Sequence, residues 1–119
     1  HTVVIGYTDQ IAQYMAAADI CLGKPGGLST TEMLVAQLPM VLILAVPGCE
    51  TRNLDFMLEH KFAVGATDWH SAIYLTLGLL NDPGWRAELK ERLCALDIPC
   101  AAEAIVNHIS ANAKENENE

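Results

Sequence analysis

Residues 40–45, Met-Val-Leu-Ile-Leu-Ala, form an unbroken apolar run held between Pro39 and the Pro47-Gly48 pair. A run with no polar face suits a strand covered on both sides, not one with a side in water. Strands of that kind belong to parallel sheets, whose neighbours must be joined by long crossovers, usually helices. The run is far too short to cross a bilayer. It therefore predicts the centre of a parallel sheet inside an α/β protein.

The flanking sequence supplies the crossovers. The β-branched residues 2–5, closed by Gly6, read as a first strand. Thr8 or Asp9 then caps a helix with Ile11, Tyr14, Met15 and Ala18 on its buried face. Residues 19–23 read as a second strand and 24–27 as a turn. A helix over 29–37 places Thr31, Leu34, Val35 and Leu38 inward and stops at Pro39. Beyond the strand 40–45, a helix over 50–60 turns Leu54, Met57 and Leu58 inward, and 62–65 is a fourth strand. Asp68 caps a helix with Trp69, Ile73, Thr76, Leu77 and Leu80 facing the core. A turn at 81–84 precedes the stripe Trp85, Leu89, Leu93 and Leu96, and Pro99 opens a last helix through Ile105 and Ile109. The expected fold class is α/β, a parallel sheet with flanking helices followed by C-terminal helices.

Composition narrows the function classes. The hydrophobic fraction of 51% can fill a core, and 6% aromatics suits helices on a buried sheet. A net charge of −8 argues against nucleic acid as a partner, because a phosphate-backbone binder needs a basic patch. Cys21, Cys49, Cys94 and Cys100 make no metal-like spacing with one another or with the histidines, and read as reduced thiols of a cytoplasmic protein. His1, His60, His70 and His108 lie on different elements and read as surface or helix-end residues. No signal peptide is visible. The start at His1, directly in a strand, predicts a fragment: residues 1–113 a partial domain, 114–119 an acidic tail without fixed structure.

Two loops could carry chemistry, because ligands of such sheets bind where the strands' carboxyl ends feed into helices. In the first, Gly26 and Gly27 precede a helix, so backbone N–H groups can approach an anion. Turn-making is the simpler reading of the pair. The loop is neither a Walker A sequence nor G-x-G-x-x-G. Ser29-Thr30-Thr31-Glu32 fits a capping box, with Glu32 folded back to the Ser29 N–H, and spacing alone favours that reading. The competing role for Glu32 is to accept hydrogen bonds from the two hydroxyls of a ribose. In the second loop, Pro47-Gly48 leads into a helix with Glu50 near its positive end. Glu50 and Asn53 could instead face sugar hydroxyls. Cys49 as a nucleophile lacks a base nearby.

Read together, residues 18–32, then Leu38-Pro39-Met40, then Pro47-Gly48-x-Glu50-x-x-Asn53 resemble the donor half of one GT-B glycosyltransferase family. That family includes the lipid II-forming N-acetylglucosaminyltransferase, the monogalactosyldiacylglycerol synthases and the processive diacylglycerol glucosyltransferases. The likeness spans roughly residues 4–65 and is greatest to the diacylglycerol-glycosylating branch. It implies a Rossmann-like half of a GT-B fold and an inverting, metal-independent transfer of a hexose from a UDP-sugar to a lipid acceptor, without a cofactor. Gly26, Gly27 and Ser29 would hold the donor diphosphate, Glu32 the ribose, and Glu50 with Asn53 the sugar. Cys49 stands where the resembling sequences have Gln, a residue that helps read the sugar.

The same likeness implies that the catalytic base and an amino-terminal acceptor domain lie outside this chain, which alone should transfer nothing. Membrane contact would come only through the full-length protein, at the cytoplasmic face. Two other readings stay open: a donor-binding subunit of a split glycosyltransferase, and a non-catalytic domain of the same fold used for self-association. A truncated sheet exposes an apolar edge, which a homodimer would cover. A dehydrogenase-type module lacks its phosphate fingerprint here.

Overall fold

A computed structural model of the chain describes residues 1–96, 98 and 101–116. In chain order the elements are α1 (Ile11–Ala17), β1 (Cys21–Gly23), α2 (Gly27–Val35), β2 (Met40–Leu42), α3 (Cys49–Glu59), β3 (Val64–Gly65), α4 (Trp69–Asn81), α5 (Pro83–Cys94) and α6 (Ala101–Asn116). The strands form one parallel sheet in the order β1-β2-β3. The α/β class and the central position of the apolar run are as the sequence predicts.

The register aligns Gly23 with Leu42 and Leu42 with Gly65, so all three strands end together. Ile43 N–H donates to the Gly23 carbonyl at 2.9 Å and Ala66 N–H to Leu42 at 2.8 Å, carrying the ladder one residue further. The loops before α2, α3 and α4 therefore leave from one edge. Strand alternation divides β2 between two cores. Met40 and Leu42 join Met33, Leu38, Met57, Phe62 and Leu93 in one cluster. Val41 and Ile43 join Ala72, Leu79 and Leu89 in the other.

Helices α2 and α3 end alike. Gln37 and Lys61 take left-handed φ values of 53° and 57°. Leu38 N–H reaches back to the Met33 carbonyl, and Phe62 N–H to Met57, at 3.0 and 2.9 Å. These are Schellman turns, each burying the apolar residue that follows the left-handed one. They point the chain straight from each helix into its next strand.

Several local expectations are corrected. Residues 1–10 contain no strand, and Val3, Val4 and Ile5 are exposed: β-branched propensity without a neighbouring strand leaves the backbone unpaired. The expected strand 40–45 ends at Leu42, because Leu44 turns left-handed at φ 59°. On α1 only Met15 packs against the core, while Ile11 and Tyr14 stay exposed. On α2 Leu34 packs against the core as expected, but the fully buried residues are Thr30 and Met33, and Thr31 and Val35 are exposed. On α3 Leu54 and Met57 pack inward, but Leu58 is exposed. On α4 they are Ala72 and Leu79, with Trp69, Ile73, Leu77 and Leu80 outward. Leu89 and Leu93 of α5 face in as expected. Ile105 and Ile109 of α6 are exposed, and that helix includes residues 114–116 of the segment expected to lack fixed structure. Pro99, Cys100 and residues 117–119 lie outside the described residues. No helix among those described is long and apolar enough to cross a membrane.

Candidate functional site

The first loop is built from the backbone outward. Pro25 is fully buried and anchors the turn after β1. Gly26 is the N-cap of α2, with φ −69° and ψ 142°, and offers no side-chain cap. Its carbonyl accepts the Thr30 N–H at 2.9 Å and the Thr30 hydroxyl at 2.6 Å. The N–H groups of Gly26, Gly27, Leu28 and Ser29 have no acceptor among the described residues. Those are the donors that a helix start leaves over, and here no side chain takes them.

Neither glycine is demanded by the turn. Both lie outside the left-handed region, a Cβ on Gly26 would meet nothing within 4 Å, and one on Gly27 would meet only Asn53 Nδ2 at 3.8 Å. Their missing side chains keep the approach to the helix start clear. Gly48 is different: at φ 110° and ψ −117°, it holds a conformation that strains any other residue.

The capping box favoured by spacing does not form. That box needs Ser29 as the N-cap, but the N-cap of α2 is Gly26, so Ser29 lies inside the first turn. Ser29 and Glu32 instead line an open depression of about 420 Å³ at the strand ends, together with Gly26, Lys24 and Glu50. The Glu32 carboxylate makes no hydrogen bond to any described residue. Its acceptors are free for a ligand.

Glu50 and Asn53 start from the same turn of α3 and have different partners. Glu50 Oε2 accepts the Val46 N–H at 2.6 Å and lies 3.9 Å from Lys24 Nζ. Asn53 Nδ2 donates to the Pro25 carbonyl at 3.0 Å, joining the two loops. Asn53 and the exposed Cys49 do not line the depression. Residues not expected from the sequence also line it: Ile11, Met15, Cys21, Gly23, Lys24 and Met33. Lys24 brings a cation that its place before Pro-Gly-Gly could have announced. Cys21 is half-buried, and burial pushes its thiol pKa up, so it stays neutral. Ile11 and Met15 carry no signal beyond their helical spacing. Cys21, Cys49 and Cys94 are free thiols, and Cys94 donates to Gln37 Oε1 at 3.2 Å.

The start of α2 at Gly26, a serine, a lysine and an open carboxylate thus share one depression, while Gly27 faces Asn53 outside it. Residues 1–50, which carry the first loop and Glu32, match the glycosyltransferase family 28 C-terminal domain. The chain is also similar to processive diacylglycerol beta-glucosyltransferases. That of Staphylococcus saprophyticus is 30% identical over 83% of this chain and 25% of its own length. That of Bacillus cereus strain G9842 is 30% identical over 91% and 28%, and that of Bacillus subtilis strain 168 is 27% identical over 89% and 28%. These matches support a GT-B glycosyltransferase C-terminal domain. The chain spans about a quarter of the length of these curated relatives. The family match ends at Glu50, so it covers the α1, β1, α2 and β2 elements and only the first two residues of α3.

Proposed function

We propose that this domain binds the donor of an inverting, metal-independent glycosyltransferase that moves a hexose from a UDP-sugar to a lipid acceptor. The single observation that carries the reading is the free start of α2 beside the unpaired Glu32. A diphosphate seated at the N–H groups of Gly26, Gly27 and Ser29 would complete the helix start. The Ser29 hydroxyl adds a donor, and Lys24 a neutralising charge. Glu32, one turn further, is placed to accept from ribose hydroxyls. As the bond to the sugar breaks, charge gathers on the departing diphosphate. N–H donors already aimed at it stabilise that charge without reorganisation.

Glu50 and Asn53 face the sugar in this reading, and Glu50 would have to share its carboxylate with Val46. Cys49 is a weak hydrogen-bonding group at a position that reads the sugar, so it bears on donor choice. The acceptor site and the general base belong to other parts of the full-length protein, which would also make the membrane contact at the cytoplasmic face. The isolated chain is expected to transfer nothing. The name of the relatives supports a diacylglycerol-type acceptor and glucose as the hexose.

Calorimetry of UDP with the full-length protein tests this. Glu32→Ala should weaken UDP by about 1–3 kcal/mol, the cost of losing a charged hydrogen-bonding partner. A full-length protein that binds no UDP sinks the reading.

The outward Trp69, Ile73, Leu77 and Leu80 of α4 favour a second reading, a non-catalytic domain that self-associates. Sedimentation of the full-length protein at rising concentration separates the two. A dimer dissociated by Leu77→Lys, with no UDP binding, supports the second, and a monomer that binds UDP removes it.

A further inference from the structure

The bond between Asn53 Nδ2 and the Pro25 carbonyl crosses 28 residues of sequence and is partly buried. Its consequence follows from the planarity of the peptide unit. The Pro25 carbonyl and the Gly26 N–H belong to one peptide plane and point in opposite directions. Drawing the carbonyl towards Asn53 therefore aims the Gly26 N–H away from Asn53. Gly26 lines the depression and Asn53 does not. The proline ring fixes φ at residue 25 and burial holds the ring in place, but ψ, the angle that turns this peptide plane, is left for a contact such as that with Asn53 to set.

We propose that Asn53 is a positioning residue: it fixes the plane of the Pro25–Gly26 peptide so that the Gly26 N–H points at the donor diphosphate. The inference rests on the donor-site reading above and gives Asn53 a part other than contact with the sugar. Glu50, three residues earlier, holds the Val46 N–H of its own loop in the same way. The first turn of α3 thereby fastens both loops at the strand ends. The Asn53 Oδ1 atom makes no bond to a described residue, so the amide's contribution comes from its N–H.

The test uses the full-length protein with Asn53→Asp, which keeps the shape and removes the donor, and with Asn53→Ala. UDP and uridine are the probes, and amide exchange at Thr30, bonded to the Gly26 carbonyl, reports the loop. The expected result is a loss of UDP affinity of roughly ten-fold or more, the scale of a hydrogen bond to a charged group. Uridine, which has no diphosphate, should bind both variants as it binds the wild type, and Thr30 exchange should quicken. Unchanged UDP affinity, or equal losses for UDP and uridine, overturns the positioning role. So does unchanged Thr30 exchange in both variants. If the wild type binds no UDP while the variants quicken Thr30 exchange, the donor-site reading has failed and the loop fastening has not.

Discussion

Gly26 and Lys61 are opposite cases of a side chain in relation to its backbone. Gly26 has ordinary dihedrals and open space around its missing Cβ. Gly26→Ala should therefore leave chemical-denaturation stability within about 1 kcal/mol of wild type, because it mainly narrows the unfolded ensemble. UDP affinity of the full-length protein should nonetheless fall about ten-fold or more, since a methyl group would stand where a phosphate meets the N–H. Retained affinity would remove Gly26 from the site. Lys61 carries a side chain at φ 57°, where the Cβ of an L-residue crowds the following carbonyl. Lys61→Gly should raise stability by up to about 1 kcal/mol, measured by urea unfolding, the relief of crowding exceeding the entropy that glycine adds to the unfolded chain.

At the scale of elements, α4 carries a complete capping box. Asp68 Oδ1 accepts the Ser71 N–H at 2.8 Å, and the Asp68 N–H donates to Ser71 Oγ at 3.1 Å. The bond from the Ser71 backbone, followed by that from the Thr67 hydroxyl, lowers the Asp68 pKa. A lowered folded pKa means that the carboxylate's contribution is complete above its unfolded value, about pH 4. It is lost as pH falls through the folded value. Melting curves of Asp68→Asn across pH 2–6 should show a smaller acid loss than the wild type, and superimposable profiles would contradict the assignment. This cap was legible in the sequence because it is local. The face of α4 was not: Trp69, Ile73 and Leu77 on one side match Ala72, Leu75 and Leu79 on the other, so periodicity gives no direction. On α2 the S-x-x-E spacing is real, but the helix start is set earlier, at Gly26 beside a buried proline. Strand β2 was readable because burial on both faces leaves a run that no other element explains. The strand expected at residues 2–5 failed for the converse reason, since pairing needs a partner that local propensity cannot supply. The Asn53–Pro25 bond was invisible for a similar reason: 28 residues separate its ends.

Over the whole molecule, the sheet separates two cores that one helix reconnects. Leu89 of α5 lies in the cluster with Val41 and Leu79, and Leu93 in the cluster with Met33, Leu38 and Met40. Leu93→Ala should lower stability by about 3 kcal/mol, the usual cost of emptying a buried leucine site. Its place in the architecture adds a further expectation. Unfolding followed by Trp85 fluorescence, which reports the second cluster, should shift as far as unfolding followed by far-ultraviolet dichroism. Different midpoints would mean that the two cores melt separately. The free start of α2 has an analogous reach. A helix whose first N–H groups are left open has, in effect, lent its cap to whatever anion it receives. That anion then acts as a removable part of the fold. Its concentration in the surroundings would set how firmly the first turn is wound, with about 2.7 kcal/mol of added stability at one hundred times its dissociation constant. Heat resistance would then become a gauge of ligand supply.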